Sequence, residues 1–180
     1  MLWGVSIMNI GFMALETFVP TKKYIEWSRL IQVKEVVSLD CSLCPSVIHI
    51  EDDDIEHLQQ KESYYDIFNN LDWVLQRAKD VKDKQILAVL REPTKECKAI
   101  PFDSGFHFCG YDLVEDDTKI SALTNCGGFD EAFLPSALSK YGLIEDFVEA
   151  KKVQLSLREK YPADDHAYCT LWAIWKMDLV

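Results

Sequence analysis

Phe106-His-Phe-Cys-Gly-Tyr-Asp-Leu-Val-Glu-Asp-Asp-Thr-Lys-Ile-Ser-Ala-Leu-Thr-Asn-Cys-Gly-Gly-Phe129 is the stretch on which the fold turns. Two apolar runs flank the acidic turn Glu115 to Thr118, a pattern that predicts a β-hairpin over about 106–126. Gly127-Gly128 breaks its second arm.

Working outward toward the N-terminus, the apolar run Ile86 to Leu90 predicts a short buried strand. Before it, Tyr64, Ile67, Phe68, Leu71, Val74, Leu75 and Ala78 recur at helical spacing behind Ser63, which predicts a capped helix to about Lys79. The alternation Val33, Glu35, Val37, Leu39 predicts a strand, and Thr21 caps a helix carrying Tyr24, Trp27 and Ile31 on one face. The apolar N-terminus reads as a buried strand or helix. It has no Lys or Arg before Lys22, so it lacks the basic start of an export signal, and Asn9, two Gly and Glu16 interrupt it too early for a membrane span.

Toward the C-terminus, Asp130 to about Tyr141 and Ile144 to Tyr161 predict two helices, the first ended by Gly142 and the second by Pro162. Leu171-Trp-Ala-Ile-Trp175 is apolar at every position, as expected of a central strand covered on both faces. Taken together, the elements predict an α+β fold with a mixed, largely antiparallel sheet, a central hairpin (about 106–126) and helices packed mainly on one face. At 180 residues, with neither linker nor repeat, the chain is read as one domain, 1–180.

Asp and Glu number 30 against 19 Lys and Arg, a formal net charge of −11. That balance argues against direct nucleic-acid binding, which needs a basic footprint, and against an anionic membrane surface. It favours a basic protein partner. The acids concentrate in three runs: Glu51, Asp52, Asp53, Asp54 and Glu56; Asp112 with Glu115, Asp116 and Asp117; and Asp164 with Asp165. Each run alone is ordinary solvated loop. Together they predict a surface complementary to a basic partner, and the leading expectation is a non-enzymatic bacterial immunity protein that occludes a nuclease-type toxin domain, as a monomer or homodimer, with no cofactor.

The cysteines Cys41, Cys44, Cys97, Cys109, Cys126 and Cys169 are scattered rather than dense, which predicts reduced thiols and a cytoplasmic location. Cys41-x-x-Cys44 is half of a structural zinc site without a second Cys-x-x-Cys. His107 and Cys109 stand two apart on one strand face, where they could act as a ligand pair or pack in the core. His49 and His57 flank the first acidic run.

Asn125-Cys126-Gly127-Gly128-Phe129 resembles the Asp-Cys-Ser-Gly-Phe box of the NlpC/P60 cysteine peptidases, departing from it at Asn125 and Gly127. The resemblance implies a cysteine-dependent hydrolase with Cys126 as nucleophile and His166 as its base. The two helices expected between them stand where that family places the strand carrying its histidine. This is the alternative to the binding-protein reading.

Overall fold

The computed structural model describes residues 10–59, 66–99, 105–125 and 129–178. Four strands, β1 (Gly11–Glu16), β2 (Lys84–Arg91), β3 (Phe106–Val114) and β4 (Thr170–Met177), form an open sheet in the order β1-β2-β4-β3. Every pairing is antiparallel. The fold is α+β, and the run Leu171 to Trp175 occupies a central position, as its unbroken hydrophobicity predicts.

Strand parity divides the core. Ala14, Ile86, Leu90, Tyr111, Ala173 and Trp175 share one face by register. Helix α2 (Leu71–Arg77) lays Val74, and the Ala78 that follows it, against Ala14 and Ile86. Helix α3 (Phe147–Lys160) reaches the same face, with Phe147 5.6 Å from Tyr111 between ring centroids. The loop after β2 completes this layer: Trp175 donates Nε1–H to the Lys98 carbonyl at 3.1 Å, and the Cys97 amide donates to the Tyr111 hydroxyl at 3.2 Å.

The other face carries Leu15, Leu87, Val89, Trp172 and Ile174, and mostly irregular chain covers it. Gln85, opposite Leu15, donates to the Val36 carbonyl at 3.3 Å, tying residues 33–40 across the strands. Helix α1 (Lys22–Ser28) flanks this layer, with the Thr21 hydroxyl accepting the Tyr24 amide as the predicted cap. The Tyr24 hydroxyl donates to the Thr124 carbonyl at 2.5 Å.

Four expectations are corrected. The second arm of the hairpin is not a strand: β3 takes β4 as its long partner, and the arm keeps one bridge, Val114 to Ser121. The Ser121 hydroxyl accepts the Leu123 and Thr124 amides, and its own amide donates to Asp40, so side-chain hydrogen bonds divert backbone donors from the ladder. Val33 to Leu39 is not a strand either; Val36, Val37, Ser38, Leu39 and Asp40 are buried in succession rather than alternately. The helix expected over 130–141 is reduced to a 3₁₀ turn, Pro135–Ala137, because proline withholds a donor and disfavours helix at the residue before it. The helix expected from Ser63 begins at Leu71 under an Asn70 cap, while Phe68 bridges Phe12 at the edge of β1. Ser63 and the Cys126-Gly127-Gly128 corner lie outside the described residues.

Gly110 creates the one irregularity of β3. The register slips between Phe108 and Gly110, where φ is +139°, and an added Cβ would stand 2.9 Å from the Ile144 carbonyl oxygen. That close approach lets Ile144 bridge Tyr111 along the outer edge of β3. Antiparallel pairing places the start of β3, His107 included, at the end of the sheet where β4 finishes.

Candidate functional site

The three acidic runs do not form one patch. Glu115, Asp116 and Asp117 follow β3, and Asp164 and Asp165 precede β4; since Val114 pairs with Thr170, these two runs meet at one end of the sheet. Asp116 Oδ2 accepts from Thr170 Oγ1 at 3.0 Å and from Arg91 Nη2 at 2.5 Å, which pins the two runs together. Asp117, Asp164 and Asp165 are exposed, as is Glu92, whose amide donates to the Leu171 carbonyl at the same end. Tyr168, which closes the turn Asp165–Tyr168, is 65% exposed under the Arg158 guanidinium.

The first run is elsewhere. Asp52–His57 is a 3₁₀ turn beyond the outer edge of β1, tied there by Leu58 to Phe68 and Phe68 to Phe12. Glu51 and Asp54 close a capping box, and Asp54 pairs with Arg77 at 2.8 Å. The Glu51 amide first, and then the Arg77 ion pair, hold the Asp54 carboxyl below its usual range. Glu51, Asp52, Asp53 and Glu56 are exposed, and Glu56 lies 3.5 Å from His57.

Asp112 is not a surface residue. It is fully buried on the irregularly covered face, where Oδ2 accepts from Ser38 Oγ at 2.5 Å and Oδ1 from Ser121 Oγ at 2.7 Å and the Leu113 amide at 2.8 Å. Burial pushes its carboxyl up to about 6 against the pull of these donors. Asp40, equally buried, accepts from the Ser121, Ser42 and Leu43 amides and from Asn125 Nδ2. The two carboxylates fasten residues 38–43 and 121–125 to β3, replacing the hairpin ladder with side-chain bonds.

Among the cysteines, Cys44 is buried, its thiol donating to the Val36 carbonyl and pushed up to about 12 by burial, while Cys41 is exposed and donates to the Thr118 carbonyl. Among the described residues no group of three or more His, Cys, Asp and Glu is placed to hold a metal ion. Cys126, the proposed nucleophile of the hydrolase reading, lies outside the described residues. His166 is 7% exposed, with Nδ1 4.0 Å from Glu115 Oε2 and its ring edge-on to Phe129.

At the opposite end of the sheet an open cleft of about 820 Å³ is lined by Thr17, Glu35, Val81 to Lys84, His107, Tyr141 and Lys176 to Asp178. In it His107 Nδ1 lies 2.8 Å from Asp178 Oδ1, and Nε2 lies 3.0 Å from the Tyr141 hydroxyl. A carboxylate only accepts, so Nδ1 carries the proton, and in the neutral imidazole Nε2 then accepts the Tyr141 O–H. Lys140 Nζ sits 4.8 Å from the Tyr141 ring centroid, and Lys176 is paired with Glu35. Of the two readings of His107 and Cys109, Cys109 packs in the core, where it is buried and its thiol donates to the His107 carbonyl. Tyr141 and Asp178 carried no signal in the sequence, being 34 and 71 positions from His107.

The protein is an α+β chain with an acidic sheet end opposite a His-Tyr cleft. No family model matches it, and neither a curated protein nor a solved structure does.

Proposed function

We propose that the chain is a binding protein for a basic protein partner, and that the partner docks on the sheet end formed by the β3 exit and the β4 entry. The observation that carries the reading is the pairing of Val114 with Thr170, which brings Asp116 and Asp117 to the same sheet end as Asp164, Asp165 and the exposed Tyr168. Exposed aromatics ringed by charge suit an interface: the ring provides desolvated contact, and the carboxylates steer a cationic surface into register. A nuclease-type toxin domain fits this chemistry, because a site built for phosphate is itself basic, and the bound protein would act as its immunity partner. The exposed first run, at the far edge of the sheet, contributes to the long-range field rather than to the contact.

The free thiols of Cys41, Cys44, Cys97 and Cys109 support a reducing, cytoplasmic setting. Among the described residues no helix is long and apolar enough to cross a membrane.

The test is capture from the native host with the full chain as bait, followed by salt elution and repeated with a D117K/D165K variant. A basic protein retained at low salt, released as salt rises and bound on the order of tenfold less well by the variant is expected. Equal retention by both baits, or no basic protein at low salt, rejects the reading.

A further inference from the structure

The geometry points to a second, chemically distinct site: the Asp178-His107-Tyr141 chain makes Tyr141 a nucleophilic tyrosine that accepts acyl groups from small neutral esters bound in the cleft. Three separate segments, the start of β3, the loop before α3 and the residue after β4, deliver these side chains to one hydrogen-bonded line. The line has the polarity that activates a hydroxyl: carboxylate to Nδ1–H, then Nε2 to the tyrosine O–H. The ammonium of Lys140 lies 4.8 Å from the Tyr141 ring centroid, a cation–π contact beside the reacting hydroxyl.

Charge selects the substrate class. The cleft is lined by Lys82, Lys84 and Lys176 but equally by Glu35, Asp83 and Asp178. Lys176 is already paired with Glu35, and Lys84 Nζ donates to the Val81 carbonyl at 2.7 Å. Three lysines against three carboxylates leave the lining with no net formal charge to offset a phosphoryl dianion, so an uncharged acyl donor fits better.

In the reaction the Tyr141 Oη–acyl bond forms as the ester C–O bond breaks. The tyrosine proton moves to His107 Nε2 and then to the departing oxygen, releasing the alcohol. Water then donates its proton to His107 and its oxygen to the acyl carbon, and the tyrosine regains the proton as the carboxylic acid leaves. Ester and water thus give acid and alcohol with no other reactant. His107 and Tyr141 are the catalytic residues; Asp178 is a positioning residue that fixes the imidazole tautomer.

The probe is 4-nitrophenyl acetate with the full chain, read by nitrophenolate release and by mass mapping of acetyl-tyrosine. The exposed Tyr168 serves as an internal reference. Tyr141 is expected to acetylate about tenfold faster than Tyr168 or more, with a fall of about 10²-fold in H107Q and no acetylation at position 141 in Y141F. D178N, at a half-exposed pair, should leave the thermal midpoint unchanged yet slow acetylation, and D178E should restore part of the rate. Acetylation of Tyr141 no faster than that of Tyr168, or a rate indifferent to H107Q, overturns the proposal. Because this cleft lies at the sheet end away from Asp117 and Asp165, its failure leaves the binding reading standing.

Discussion

At the scale of single residues, Asp112 is the side chain whose environment most constrains behaviour. Its carboxyl is raised from the ordinary 3.8 to about 6 by complete burial. The folded state therefore holds this proton more tightly than the unfolded chain does. Between about pH 4 and pH 6 folding takes up a proton, so stability falls as pH rises through that window, and the full penalty applies above it. The shift corresponds to roughly 3 kcal/mol at most. Urea unfolding at pH 5 and pH 7.5 should show wild type gaining stability toward the lower pH, with that gain reduced in D112N; an identical pH slope in both proteins contradicts this. In the sequence Asp112 reads as part of the acidic turn because Glu115 follows closely. A lone acid inside the apolar run Gly110 to Val114 was the available sign of a buried network, but its partners Ser38 and Ser121 are visible only once the chain has folded. The same is true of Tyr141 and Asp178, whose meeting with His107 depends on strand order.

At the scale of elements, local signals were readable wherever a cap or a breaker acts within a few residues. Thr21 caps α1 as expected, and α3 lies within the predicted span, opened by the Asp146 carboxylate accepting the Glu149 amide. Periodicity misled where nonlocal hydrogen bonds overrode it: residues 33–39 alternate like a strand, yet their amides serve Phe18, Tyr141 and Asp112. Pro135 is a local warning against the helix over 130–141, whose predicted stop is Gly142. The bulge at Gly110 is the element on which the β3 edge depends. In G110A the methyl would meet Leu143 Cβ at 2.7 Å and a backbone oxygen, at a φ that L-residues avoid. We expect a loss of about 1–3 kcal/mol or more in chemical denaturation, and a loss below about 0.5 kcal/mol would show that the edge can relax.

At the scale of the whole molecule, the antiparallel sheet gives the protein two unlike ends, and two of the three acidic runs meet at one of them. Composition disclosed the excess but not its geography: pairing of Val114 with Thr170 unites two acidic runs, while the edge bridges of β1 carry the third away. Among the described residues Cys41, Cys44, Cys97 and Cys109 are free thiols, and stability at this scale rests on packing, with Trp175, Tyr111, Phe68 and Leu157 among the fully buried side chains. Thermal unfolding with and without a thiol reductant should therefore give the same midpoint, and a drop of several degrees on reduction would disprove it.

The insertion of β4 between β2 and β3 also bears on biosynthesis. Until residues 170–177 have left the ribosome, the inner margins of β2 and β3 have no mate, and their amides and carbonyls are open to neighbouring chains. Such a nascent polypeptide cannot complete its core before β4 emerges. Truncation ahead of Thr170 would leave an adhesive intermediate, and holdase chaperones are the cellular factors suited to shield it.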